Sequence, residues 1–169
     1  SYRIAKIGFE TQRLEDVVIG DPTRPDLTAN WMEIDLVPNG MGARVARVRA
    51  DGVRLYGRLT DEGLDFGEID KFSDPDSSAP FSLPDIFATL SDARVRLATP
   101  YGNVGIKLVG QGDLADGFAG RIAAVSDTMR VAGCTARQST FYGTLAIAQG
   151  RPHIDGPLRN AGIACDGFA

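Results

Sequence analysis

The feature that most restricts what this chain can fold into is alternation. Apolar residues recur at every second position in Met32, Ile34, Leu36, in Val53, Leu55, Gly57, Leu59, in Val95, Leu97, in Val104, Ile106, Leu108 and in Phe141, Gly143, Leu145, Ile147. A period of two places each set on one face of a pleated strand and the intervening residues on the other. In Arg94-Val95-Arg96-Leu97 the arginines must point away from the valine and leucine. The pattern predicts an all-β chain, an antiparallel, curved and elongated sheet with one apolar face and one wet face.

Turn chemistry punctuates these runs. Asn39-Gly40, Asp51-Gly52, Glu62-Gly63, Asp116-Gly117, Gln149-Gly150, Asp155-Gly156 and Asp166-Gly167 supply positive φ where hairpins reverse, which predicts short strands. Helical periodicity is scarce. Ser82 to Leu90 offers a cap, an early Pro84 and a shared face of Ile86, Phe87 and Leu90. Ile86, Ala88 and Leu90 alternate equally well, and the polar pair Ser91-Asp92 precedes a strand at Ala93 to Leu97, so we expect a hairpin there. We expect residues 1–169 to form a single segment, with a small acidic loop at 72–80 dividing sub-segments 1–71 and 81–169.

Charge and composition exclude several functions. A formal net charge of -4 and a pI near 5.0 argue against a nucleic-acid partner, because phosphate binding needs a dominant basic surface. No run reaches the roughly 20 apolar residues of a membrane-spanning helix. The chain opens Ser1-Tyr2-Arg3-Ile4, already alternating and without an initiating Met, so we expect a piece of a longer protein whose anchors lie elsewhere.

Few residues could carry chemistry. His153 is the single histidine, with no serine or cysteine motif beside it, and reads as structural or solvent-exposed. Cys134 and Cys165 are too few for a zinc site; they are either small buried hydrophobes or a disulfide closing a loop of about 30 residues. Gly110-Gln111-Gly112-Asp113-Leu114 lacks the third glycine and following helix of a dinucleotide site, so its glycines read as turn residues. Asp74 and Asp76 lack the ligand ladder of a calcium loop, and no carboxylate pair stands out as a glycosidase site. Neither a catalytic residue nor a cofactor is expected. Arg44, Arg47, Arg49, Arg54 and Arg58 precede Asp61, Glu62, Asp65, Glu68, Asp70, Asp74 and Asp76; on consecutive antiparallel strands two such stripes can pair across the ladder, and they read as a solvated outer face. The alternative is a cationic rim that meets phosphate head groups.

The order of these segments resembles a known pattern. Leu14 to Ala29, with its Pro25-Asp26-Leu27 turn, leads to the strand around Met32-Glu33-Ile34-Asp35-Leu36 and then to Asp51-Gly52-Val53-Arg54-Leu55-Tyr56-Gly57. With Leu83-Pro84-Asp85-Ile86, Ala93 to Gly102, Gly110 to Leu114 and Gly117-Phe118-Ala119-Gly120, this is similar to the YdbH-like branch of the AsmA-like superfamily over nearly the whole chain. The resemblance implies a periplasmic protein of the Gram-negative envelope, held in the inner membrane by an N-terminal anchor and forming a long β-groove that moves phospholipids toward the outer membrane. Its partners would be phospholipid acyl chains, the remaining groove segments of the parent chain, and the inner membrane through that anchor.

The physics of the pattern points the same way. An apolar face must be covered, and in a sheet that curls without closing, acyl chains can supply the missing layer at about 25 cal/mol per Å² removed from water. The expected lipid-binding residues are Ile34, Leu36, Val53, Leu55, Leu59, Val95, Leu97, Val104, Ile106, Leu108, Phe141, Leu145 and Ile147. The competing reading is a structural β-sandwich or solenoid module without a ligand, in which two sheets about 10 Å apart leave no room for one.

Overall fold

Pairing turns these runs into one sheet. A computed structural model of the chain describes residues 1–7, 11–40, 42–61, 63–72 and 85–166, without the side chains of 5–7 and 70–72. The loop at 72–80, Asp74, Asp76, Ser82 and Pro84 lie wholly or almost wholly outside them. The described strands are β1 (Arg3–Ile7), β2 (Thr11–Asp21), β3 (Arg24–Asn39), β4 (Gly42–Asp51), β5 (Val53–Thr60), β6 (Gly63–Asp65), β7 (Phe87–Thr99), β8 (Gly102–Asp113), β9 (Ala119–Val131), β10 (Cys134–Ala148), β11 (Arg151–Asp155), β12 (Leu158–Arg159) and β13 (Gly162–Cys165). A 3-10 turn covers Gly67–Phe72. All of these strands join a single sheet in the order β1-β2-β3-β4-β7-β8-β9-β10-β11. The all-β expectation holds, and most pairings are antiparallel.

Three local expectations change. First, Ser91-Asp92 is not a hairpin turn: β7 runs straight through it, and neither a helix nor a reversal interrupts Phe87–Thr99. Leu90 lies opposite Gly110 and Ala93 opposite Leu108, three steps on β7 against two on β8, so the polar pair is absorbed as a bulge. Second, Asp51-Gly52 does not reverse the chain. β4 and β5 are collinear, both antiparallel to β3 and both parallel to β7, with Gly52 at φ 65° as a kink between them. Third, Asp155-Gly156 is likewise a break in one line, since β11, β12 and β13 all run antiparallel to β10 in turn. In each case a positive-φ or polar residue relieves a long strand instead of ending it, and strands reach 16 residues rather than staying short.

The kinks line up. Asp16 (φ 51°) on β2, Asn30 on β3, Gly52 and Ser91-Asp92 fall on neighbouring strands. Their side chains bond along this seam: Asn30 Nδ2 donates to Asp51 Oδ2 at 3.2 Å, and Ser91 Oγ donates to Asp51 Oδ1 at 2.6 Å. A Cβ at Gly52 would collide with the Asn30 amide. The extra residue in each strand flips its alternation at the same level, so apolar residues on either side of the seam keep facing the same way.

Protein packs tightly against the sheet around Phe118. Phe118, 1% exposed, forms a cluster with Ala88, Ile122, Leu145 and Ile147, flanked by Leu90, Leu108 and Phe141. Gly110 and Gly112 lie inside β8 and are not turn glycines. A Cβ on Gly110 would sit 2.8 Å from Phe118 Cζ and 2.6 Å from the Ala119 carbonyl, so the missing side chain is what admits the ring. The turn beyond is made by Asp113, whose Oδ1 accepts from the Ala115 and Asp116 amides.

Candidate functional site

Cross-strand partners project to the same side of a sheet, so the register states which alternating residues meet. Leu27 is opposite Leu55, Leu55 opposite Val95, Val95 opposite Ile106, Ile106 opposite Ala124, Ala124 opposite Phe141, and Phe141 opposite Leu158. This row crosses seven strands. A second row joins Val53, Ala93, Leu108, Ile122 and Gly143, and a third joins Gly57, Leu97 and Val104. Beyond the seam, Met32, Ala50, Leu90, Gly110, Gly120 and Leu145 align, and Ile34 aligns with Val48 and Ala88.

Of the residues expected to bind lipid, Ile34, Leu36, Val53, Leu55, Leu59, Val95, Leu97, Val104, Ile106, Leu108 and Phe141 are half-buried. Leu145 and Ile147 are buried in the Phe118 cluster. Sequence reasoning did not single out Leu27, Ala124 or Leu158 as members of the longest row. Leu27 alternates with Ala29 and Trp31, a run that could have flagged it, whereas Leu158 belongs to no such run and only the pairing of β10 with β12 brings it in.

The opposite side carries charge in two different arrangements. Across β2, β3 and β4 the charges balance: Arg13 reaches Glu33 at 3.5 Å, and Arg49 reaches Glu33 at 2.7 Å and Asp35 at 3.0 Å. Arg13 also stacks 4.5 Å from the Trp31 ring centre. Of the acidic run expected to face the arginine stripe, Glu62, Asp74, Asp76 and the side chain of Asp70 lie outside the described residues. Of those arginines Arg58 does meet Asp65, at 3.3 Å, but β4 lies beside β3, so Arg49 takes its carboxylates from an earlier strand. Arg54 pairs with Asp92 at 2.7 Å, and Arg47 lies over the Phe87 ring at 5.0 Å.

Asp92 sits at the seam among three cations. Its Oδ2 accepts from Arg54, while its Oδ1 lies 3.5 Å from Arg94 Nε and 3.7 Å from Lys107 Nζ. The Arg54 hydrogen bond, with the nearby positive charges, holds this carboxyl below its ordinary value of 3.8 despite the opposing effect of burial. A carboxyl depressed on folding contributes stability above its unfolded pKa and loses it as pH falls through the folded value. We therefore expect the melting temperature to fall on acidification from about pH 5 to about pH 2, and Asp92→Asn to flatten part of that limb. Melting curves across the range check this; an identical acid limb in Asp92→Asn refutes it.

Cys134 and Cys165 are directly opposed on β10 and β13 and form a disulfide, which resolves the two sequence readings in favour of the bridge. His153 is exposed on β11, opposite Ala146. Among the described residues no group of His, Cys, Asp and Glu could hold a metal ion, and no helix is long and apolar enough to cross a membrane.

Among the described residues, backbone pairing assembles an all-β sheet with extended rows of apolar partners. The family comparison gives this sheet its class. The chain belongs to the YdbH-like family, described as intermembrane phospholipid transport proteins, whose profile matches residues 1–169. It is thus a non-catalytic member of a lipid-transport family working in the periplasmic envelope. Among curated proteins, none matches the sequence.

Proposed function

We propose that this chain is a segment of an inner-membrane-anchored bridge, and that it holds phospholipid acyl chains against its rows of alternating apolar residues while they pass toward the outer membrane. The observation that carries this reading is the row from Leu27 through Leu55, Val95, Ile106, Ala124 and Phe141 to Leu158. Seven strands at about 4.8 Å spacing give a path of about 29 Å, close to twice the roughly 15 Å that one leaflet's tails occupy in a bilayer. Leucine, valine and isoleucine side chains left half-exposed along such a path gain about 25 cal/mol for each Å² that a hydrocarbon tail covers.

The residues divide by role. Leu55, Val95, Leu97, Val104, Ile106 and Leu108 carry surface free for a tail, together with Ile34, Leu36, Val53, Leu59 and Phe141. Leu145 and Ile147, on the same side of the sheet, are already covered by protein in the Phe118 cluster and bound the path there. Ile154 and Leu158, exposed at the β10 edge opposite Leu145 and Phe141, would continue it into neighbouring segments of the parent chain.

Native mass spectrometry of the purified chain tests the proposal. Phospholipid should accompany the wild-type protein, and Leu55→Asp with Ile106→Asp should remove it while far-ultraviolet circular dichroism keeps the sheet signal. Both sites are half-buried, so the charges reach water in the lipid-free protein but would have to be desolvated under a tail. Wild-type protein that never retains lipid, or a variant that retains it unchanged, refutes the reading.

A further inference from the structure

The side of the sheet opposite the apolar rows is not uniform. In β2, β3 and β4 its arginines are matched by Glu33 and Asp35, as described above. Across β5, β7, β8, β9 and β10 the balance is lost. One row places Arg54, Arg94, Lys107, Ala123 and Tyr142 side by side, and the next places Tyr56, Arg96, Gly105, Val125, Thr140 and Arg159. Asp92 is the single carboxylate shared by Arg54, Arg94 and Lys107. Among the described residues Arg96 and Arg159 make no ion pair, so positive charge is in excess on a chain whose net charge is -4.

These cations are accessible and interleaved with apolar groups. The Arg94 and Lys107 side chains are 54% and 55% exposed, and between them and the next strands Val125 is 57% and Tyr142 59% exposed. An open depression of about 1130 Å³ that includes Arg96 and Val125 is also lined by Asp21, Asp26, Asp65 and Asp127, so the excess of cations lies in the row of Arg54, Arg94 and Lys107. Long cationic side chains with tyrosine and valine between them suit a layer that is anionic at its surface and greasy just below, because ammonium and guanidinium groups meet phosphates while aromatic rings settle at head-group depth. A purely acidic protein surface would match the charge but not the exposed Val125 and Tyr142.

We propose that this face docks on an anionic phospholipid bilayer surface. The contact is separate from the acyl-chain path, which lies on the other side of the sheet, and it does not depend on it. It would let the segment rest against a membrane with its apolar rows turned away.

Flotation of the chain with vesicles tests this, using phosphatidylcholine alone and phosphatidylcholine with roughly one quarter phosphatidylglycerol. Binding should appear with the anionic vesicles and weaken as salt rises. Each cation near such a surface changes partitioning by roughly fivefold, so Arg94→Glu with Lys107→Glu should lower it by at least about tenfold. Arg96→Gln, a milder change, should lower it by about fivefold, and Asp92→Asn should raise it by a similar factor. Arg13→Gln, on the balanced half, should leave binding unchanged. Equal binding to neutral and anionic vesicles, or reversal variants that partition like the wild type, would overturn the proposal; so would no binding to either vesicle, which would assign the face to an acidic protein instead.

Discussion

Replacing Phe118 by alanine should destabilise the chain by about 3–5 kcal/mol, the largest effect expected of any single side chain. Among the described residues Phe118 is the one large side chain fully buried, and its ring closes over a bed made by Gly110 and Gly120 on adjacent strands. The backbone also grips this turn: the Ile147 amide donates to the Phe118 carbonyl at 2.8 Å, and the Gly117 amide to the Ile147 carbonyl at 2.8 Å. A single-layer sheet has few places where protein covers protein on all sides, so losing this one leaves β8, β9 and β10 held mainly by their ladders. The aromatic ring over glycines in neighbouring strands also supplies the packing those positions lack. Urea titration followed by circular dichroism measures the loss; a change below about 1 kcal/mol would mean that the cluster contributes little.

The second large effect is at the edge. Reducing the Cys134–Cys165 bridge, or replacing both cysteines by serine, should cost about 3–4 kcal/mol, the value for a loop of this sequence separation of 31 residues. The chemistry of the edge concentrates that loss on β13, which pairs only with β10 among the described strands. Hydrogen exchange should therefore show faster exchange at Ile163 to Cys165 than elsewhere once the bridge is open, with β7 and β8 little changed. Uniform acceleration across the sheet would show instead that the bridge stabilises the whole fold.

Both effects fall at positions that local sequence describes poorly. The pair of cysteines is visible, but nothing nearby in the chain says that β13 returns to the start of β10, and so the sequence leaves both a thiol pair and a bridge open. Phe118 follows an Asp-Gly turn pair and looks like a loop residue. It becomes the centre of the core because Gly110, from β8, is brought beneath it beside Gly120 at the start of β9. The carboxylates that meet Arg49 and Arg54 were hidden for the same reason: they come from β3 and from the distant β7, which flank β4 and β5 in space and not in sequence.

What the sequence by itself determined is the strand character of the chain and the side on which each apolar residue projects within a run, because alternation is a property of an extended backbone and needs no partner to be read. The family relation, too, was legible in the order of those runs. Only the tertiary structure decided which runs stand side by side, that β4 and β5 meet β7 in parallel, and that Asp16, Asn30, Gly52 and Ser91-Asp92 form one seam of kinks. Those choices rest on hydrogen bonds between residues far apart in the chain, and a pairing of that range leaves no local mark in either strand.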